Sequence, residues 1–134
     1  MEKIVTFLRD DKFAEHNGIE LLEVSEGRAR AKMDITTQHL NGAKVVHGGA
    51  IFTLADFAFA AASNSHGTIA LAINANISFV KAVTEGILVA EAKEISLNPK
   101  LATYTINITN EHNDLIAIFQ GMVYRKKDSI DKRR

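Results

Sequence analysis

The chain has 134 residues, 46% of them apolar, with sixteen basic side chains balanced by sixteen acidic ones. That length fits one domain with one core, the apolar content argues against disorder, and the zero formal charge argues against nucleic acid as a partner. With no cysteine, disulfides, a thiolate nucleophile and cysteine-ligated zinc are excluded, so any chemistry falls to oxygen and nitrogen groups.

The opening MEKIVTFLRDDKFAEH has neither a long apolar core nor a small-residue cleavage site, so a cytoplasmic location is expected. Ile4, Val5, Phe7, Leu8 and Phe13 recur at mostly helical spacing, predicting one amphipathic helix over 2–15 that stops near Asn17-Gly18. Strands over 19–24 and 28–35 follow, joined as a hairpin through Ser25-Glu26-Gly27. A polar stretch then leads through Asn41-Gly42 into His47-Gly48-Gly49 and the apolar run 50–62. Asp56 interrupts that run, which falls short of the roughly 18 residues of a membrane span and reads as a buried helix.

From Ile69 the period becomes two, with Ile69, Leu71, Ile73, Ala75, Ile77 and Phe79 on one side and Asn74, Asn76 and Ser78 on the other. Further strands are predicted from Gly86 to about Leu97, over 101–109 and over 115–124. Residues 1–125 thus form a single domain, and the charged stretch 126–134 is expected to be a frayed tail. A helix, a hairpin, a central helix and four successive strands predict an α+β fold, an antiparallel sheet wrapped around one helix. Its exposed edges predict at least a homodimer formed by strand pairing.

Asp56 resists a purely structural reading, because an unpaired carboxylate inside an apolar helix costs several kcal/mol. Backbone N–H groups or a Lys or Arg across an interface would satisfy it structurally, but its face also carries Gly49, Phe52, Thr53, Ala60 and Ser63 and is suited to border a pocket. Upstream, Gly48 and Gly49 would open the helix, where free N–H groups and the dipole favour an oxyanion.

Residues 40–65, LNGAKVVHGGAIFTLADFAFAAASNS, resemble the PaaI-like acyl-CoA thioesterases of the hot-dog superfamily, on Asn41-Gly42, His47-Gly48-Gly49 and Leu54-Ala55-Asp56. Weaker similarity extends over about 13–125, including NISFVKA at 76–82 and FQGMVYR at 119–125. The resemblance implies a hot-dog fold and hydrolysis of an aryl- or medium-chain acyl-CoA. It gives Asp56 the role of general base or nucleophile, Gly48 that of backbone oxyanion donor, and Asn41 the orientation of water or substrate. It also implies a site shared between subunits of a homotetramer. Two departures stand out: Ala72 and Ile73, with Asn74 adjacent, occupy the place of a water-holding hydroxyl, and Lys81-Ala82 replaces a basic residue followed by proline.

His47 is expected to support the loop. Gly49, Phe52, Asn74 and Phe79 are candidates for contact with substrate, and Lys81, Lys100 and Arg125 for coenzyme A phosphates. His16, His39, His66 and His112 show no local metal-ligand spacing, so no metal is expected, nor any cofactor beyond the coenzyme A of the substrate. The competing readings are a hot-dog dehydratase or hydratase, and a non-catalytic acyl-CoA-binding homo-oligomer.

Overall fold

Paired alanines decide where the long helix lies. In the computed structural model, which describes residues 1–133, β2 (Arg28–Asp34) and β4 (Ile87–Leu97) run antiparallel with Ala29 opposite Ala92 and Ala31 opposite Ala90. Their inner face is therefore almost flat, and α3 (Gly48–Asn64) crosses it on its own small residues Ala55, Ala58, Ala61 and Ala62, all buried. Larger side chains fill the flanks, where Phe59 meets Tyr104 and Phe119 with ring centroids 5.7 and 5.5 Å apart. A Cβ on Gly121 would lie 2.6 Å from the Phe59 ring, so that position needs glycine.

Strands β1 (Ile19–Ser25), β3 (Thr68–Phe79), β5 (Leu101–Asn110) and β6 (Leu115–Ser129) complete one antiparallel sheet in the order β1-β2-β4-β5-β6-β3. The predicted α+β architecture, a sheet wrapped on one central helix, is the one observed. The hairpin turns through Gly27, whose φ of 73° suits glycine.

Three expectations are corrected. The single helix over 2–15 is two, α1 (Glu2–Leu8) and α2 (Lys12–His16), because the Asp11 side chain caps α2 by accepting the Ala14 N–H at 3.0 Å. The restart changes the helical phase and leaves Phe13 exposed. The supposed tail continues β6 to Ser129, and Ile130 is buried, its N–H donating to the Gly67 carbonyl at 3.2 Å. One apolar residue in a charged run is enough to dock the end of the chain, and the turn that follows packs on α1.

The third correction concerns β3. Bulges between Thr68 and Ala70 and between Ala72 and Asn74 break the predicted alternation. Ile69 is buried, but Leu71, Ile73 and Phe79 are 49%, 56% and 54% exposed. Among the described residues the twelve-residue strand pairs only with β6, and no strand lies along its other edge.

Candidate active site

The loop before α3 is held by two histidines. His39 is buried; its Nδ1 accepts the Thr36 N–H at 3.0 Å, which leaves Nε2 to donate to the Asn17 carbonyl at 3.0 Å. The His47 N–H donates to the His39 carbonyl at 2.7 Å, and His47, as N-cap of α3, accepts the Gly49 N–H on its Nδ1 at 2.8 Å. Sequence reasoning missed His39, since its partner Asn17 lies far away along the chain.

That cap separates the two glycines chemically. The Gly49 N–H is consumed, so of the expected pair only Gly48 keeps an N–H with no acceptor among the described residues. A Cβ at Gly49 would sit 2.9 Å from the capping His47 Nδ1, whereas one at Gly48 would sit 3.0 Å from the tip of the half-exposed Phe79 ring, which would have to give way. A free N–H at the first position of a seventeen-residue helix is a ready anion donor. Beside it Ile51, Phe79, Lys81 and Val83 line a cavity of about 360 Å³.

Asn41 closes the loop it stands in. Its Oδ1 accepts the Ala43 and Val45 N–H groups at 2.9 and 3.3 Å, and its own N–H donates to the Val45 carbonyl at 2.8 Å. The side-chain oxygen is therefore committed to the loop, and the amide nitrogen has no partner among the described residues.

Asp56 lies two turns into α3, exposed beside the half-buried Thr53 and Ala60. The apolar composition of the helix predicts burial, yet the carboxylate is exposed on the protomer, since the strands cover only the opposite side. It makes no hydrogen bond or ion pair among the described residues. Partial loss of water to surrounding protein, then the like charge of Asp11, push its pKa above the usual carboxylate range. Asp11 is a second neighbour that sequence reasoning missed.

Eight residues at 1.5 Å rise separate Gly48 from Asp56, about 12 Å along one helix. No single carbonyl can touch both, because attacking group and oxyanion donor must each lie about 3 Å from the reacting atoms.

The other candidates are scattered. Phe52 packs edge-on against Phe119 at 5.2 Å. Asn74 pairs with Met122 on the outer face of the sheet, which the bulge places away from α3. The Lys81 Nζ lies 3.0 Å from Asp114, whose pKa its hydrogen bond lowers. Lys100 and Arg125 flank the β4–β5 turn, where Arg125 donates to the Asn98 carbonyl at 2.8 Å. Arg125 pairs with Ala70 at one end of β3 and Phe79 stands at the other, roughly 30 Å away at strand spacing. Neither Lys100 nor Arg125 joins Gly48 within one protomer.

Residues 43–117, which carry the Gly48 helix start and Asp56, match the family model described as the thioesterase superfamily. The chain belongs to the thioesterase superfamily. It is 49% identical over 127 residues to an Archaeoglobus fulgidus protein named a candidate esterase, covering 93% of this chain and 82% of that one. To the acyl-coenzyme A thioesterase PaaI of Escherichia coli K12 it is 37% identical over 117 residues, covering 87% and 84%. The solved structure of the E. coli PaaI protein from the phenylacetic acid degradation operon superposes with a TM-score of 0.92 at 32% identity, over 96% of this chain and 94% of that one. The fold is thus the hot-dog fold, and the thioesterase is PaaI-like.

At the far end of α3 the thioesterase carries a second titratable cluster. The Glu94 Oε2 accepts from Tyr104 at 2.7 Å and lies 2.6 Å from the His66 Nε2. Burial raises the Glu94 pKa, but hydrogen bonds from His66 and Tyr104, with the His66 and Arg125 charges, reverse it and leave it lowered. Tyr104 is raised by its own burial and by Glu94. The cluster ties the end of α3 to β4 and β5. Among the described residues no helix is long and apolar enough to cross a membrane, and no group of acidic and histidine side chains is placed to hold a metal ion.

Proposed function

We propose that this enzyme hydrolyses acyl-CoA thioesters at a site made by two copies of the chain, Asp56 from one and the Gly48 N–H from the other. The carrying observation is the pair of unpartnered groups, an exposed carboxylate and a free helix-start N–H, held too far apart on one helix to serve one carbonyl. The open edge of β3 supports the second copy. Its exposed Leu71, Ile73 and Phe79 and its unpaired backbone groups would be covered by a two-fold strand pairing. A tetramer would need a further contact on top of this pairing. Similarity to the E. coli acyl-coenzyme A thioesterase PaaI supports acyl-CoA as the substrate.

The reaction adds water across the acyl–sulfur bond and gives a carboxylic acid and the coenzyme A thiol. Asp56 takes the proton of an attacking water, or attacks the carbonyl itself to give an anhydride that water then opens. In both routes the thioester oxygen gains negative charge, which the Gly48 N–H and the start of the helix stabilise; one such donor is typically worth about 10²–10³ in turnover. His47 holds the donor by capping the residue beyond it. Asn41 acts through the loop, with its free amide nitrogen available to substrate. Lys81, beside the Gly48 cavity, is the candidate for a coenzyme A phosphate. The sheet ends carrying Lys100 and Arg125 would reach a site only from the partner.

Thiol release from a panel of aryl and fatty acyl-CoA esters tests the reading, with Asp56→Asn beside the parent protein. Release that collapses in the folded variant supports it. Binding without release, or release that survives the substitution, refutes it. Dehydration without thiol release would favour the dehydratase reading instead.

A further inference from the structure

A second cavity of the protomer plays no part in the site described so far. It lies between the N-terminal helices α1 and α2 and the edge strand β1, with a volume of about 980 Å³. Val5, Leu8, Leu21, Val24 and Phe57 give it apolar walls. Asp11 stands at its rim, close enough for its charge to act on Asp56. Phe57, the residue after Asp56 on α3, forms part of its wall, so the cavity reaches α3 at the turn that carries the proposed attacking group.

We propose that this cavity receives the acyl chain of the substrate, and that the chain it accommodates is a linear fatty acyl group longer than a single aromatic ring. The proposal rests on the hydrolase reading above for the direction in which substrate enters. The two substituents of a thioester carbonyl point away from each other, so acyl group and coenzyme A leave Asp56 on different sides. Charge decides which goes where. The cavity is lined by Asp11, Glu15, Glu20 and Glu23 against Arg9 and the Met1 amino group, a net negative lining that disfavours the phosphates of coenzyme A. Glu15 and Glu23 are paired with Lys12 and Arg30, which lie outside its lining. The cavity beside Gly48 instead carries Lys81. Size decides the class: an apolar cavity of about 150 Å³ already holds benzene, so this one is several times larger than a phenyl group needs.

The test uses tryptophan on opposite walls, Val5→Trp on α1 and Leu21→Trp on β1, so that the result does not depend on one variant folding. Rates of thiol release would be measured for phenylacetyl-, hexanoyl- and decanoyl-CoA, with circular dichroism and the oligomeric state checked. The expected result is a parent enzyme that favours decanoyl over phenylacetyl, and variants in which that kcat/KM ratio falls by about tenfold or more. A ratio that stays within about twofold of the parent in both folded variants overturns the proposal, as does a parent that favours phenylacetyl over every fatty ester. If no ester releases thiol, the hydrolase reading fails separately. Calorimetric titration with the non-hydrolysable ketone analogue of decanoyl-CoA then decides the pocket: binding lost in both variants supports it, and absent or unaltered binding overturns it.

Discussion

Two inactive variants should rescue one another. Asp56→Asn removes the attacking carboxylate. Gly48→Pro removes the free N–H, and the helix start tolerates it, because proline is favoured at the first helical position and His47 before it already has the extended φ of −60° and ψ of 134° that a following proline requires. The added Cβ lies nearest the Phe79 ring, whose side chain is 54% exposed and has room to turn aside. Each variant alone loses about 10²-fold or more of turnover. When equal amounts are unfolded and refolded together, half of the dimers are mixed, and each mixed dimer carries one site with both defects and one with neither. Thiol release should therefore return to about a quarter of the parent value. A site confined to one protomer has no intact copy in any mixture. Release that stays at the level of the separate variants, with mixed dimers shown by native mass spectrometry, would refute the shared site and the 12 Å argument behind it.

Other outcomes follow from the same geometry. Because the folded state raises the Asp56 pKa, its favourable contribution is present below the unfolded value and is lost as pH rises through the folded one. Asp56→Asn should therefore raise the melting temperature at neutral pH while abolishing release, and the acid limb of the kcat profile should lie above the ordinary aspartate range. For Glu94 the sign is opposite: its lowered pKa stabilises above the unfolded value and is lost as pH falls through the folded one, so acid unfolding monitored by near-ultraviolet dichroism should shift to higher pH in Glu94→Gln. Gly121→Ala drives a Cβ into Phe59 and should cost about 1–3 kcal/mol in urea titration; Phe59→Leu in the same background should recover part of it.

The candidate site was legible wherever its residues are neighbours in the chain. His47, Gly48 and Asp56 sit in one stretch, and a helix start followed by a carboxylate two turns on can be read from spacing alone. The loop anchor was not legible, because His39 reaches Asn17 across the fold, nor was Asp11, which acts on Asp56 only once α2 has folded. Alternation correctly announced β3 but misplaced its faces, since a bulge leaves no mark on composition. Ile130 was hidden for a similar reason: eight charged or polar neighbours outweigh one apolar residue until the strand is long enough to carry it to Gly67.

If its uncovered β3 edge pairs as proposed, this catalyst would act as a concentration sensor. With the strand paired as proposed, each protomer alone is both incomplete and sticky, so dilution below the dimer dissociation constant would lower the output per chain instead of leaving it constant. An acyl-CoA would add to the same linkage by binding only the assembled form, so substrate would hold together the enzyme that consumes it.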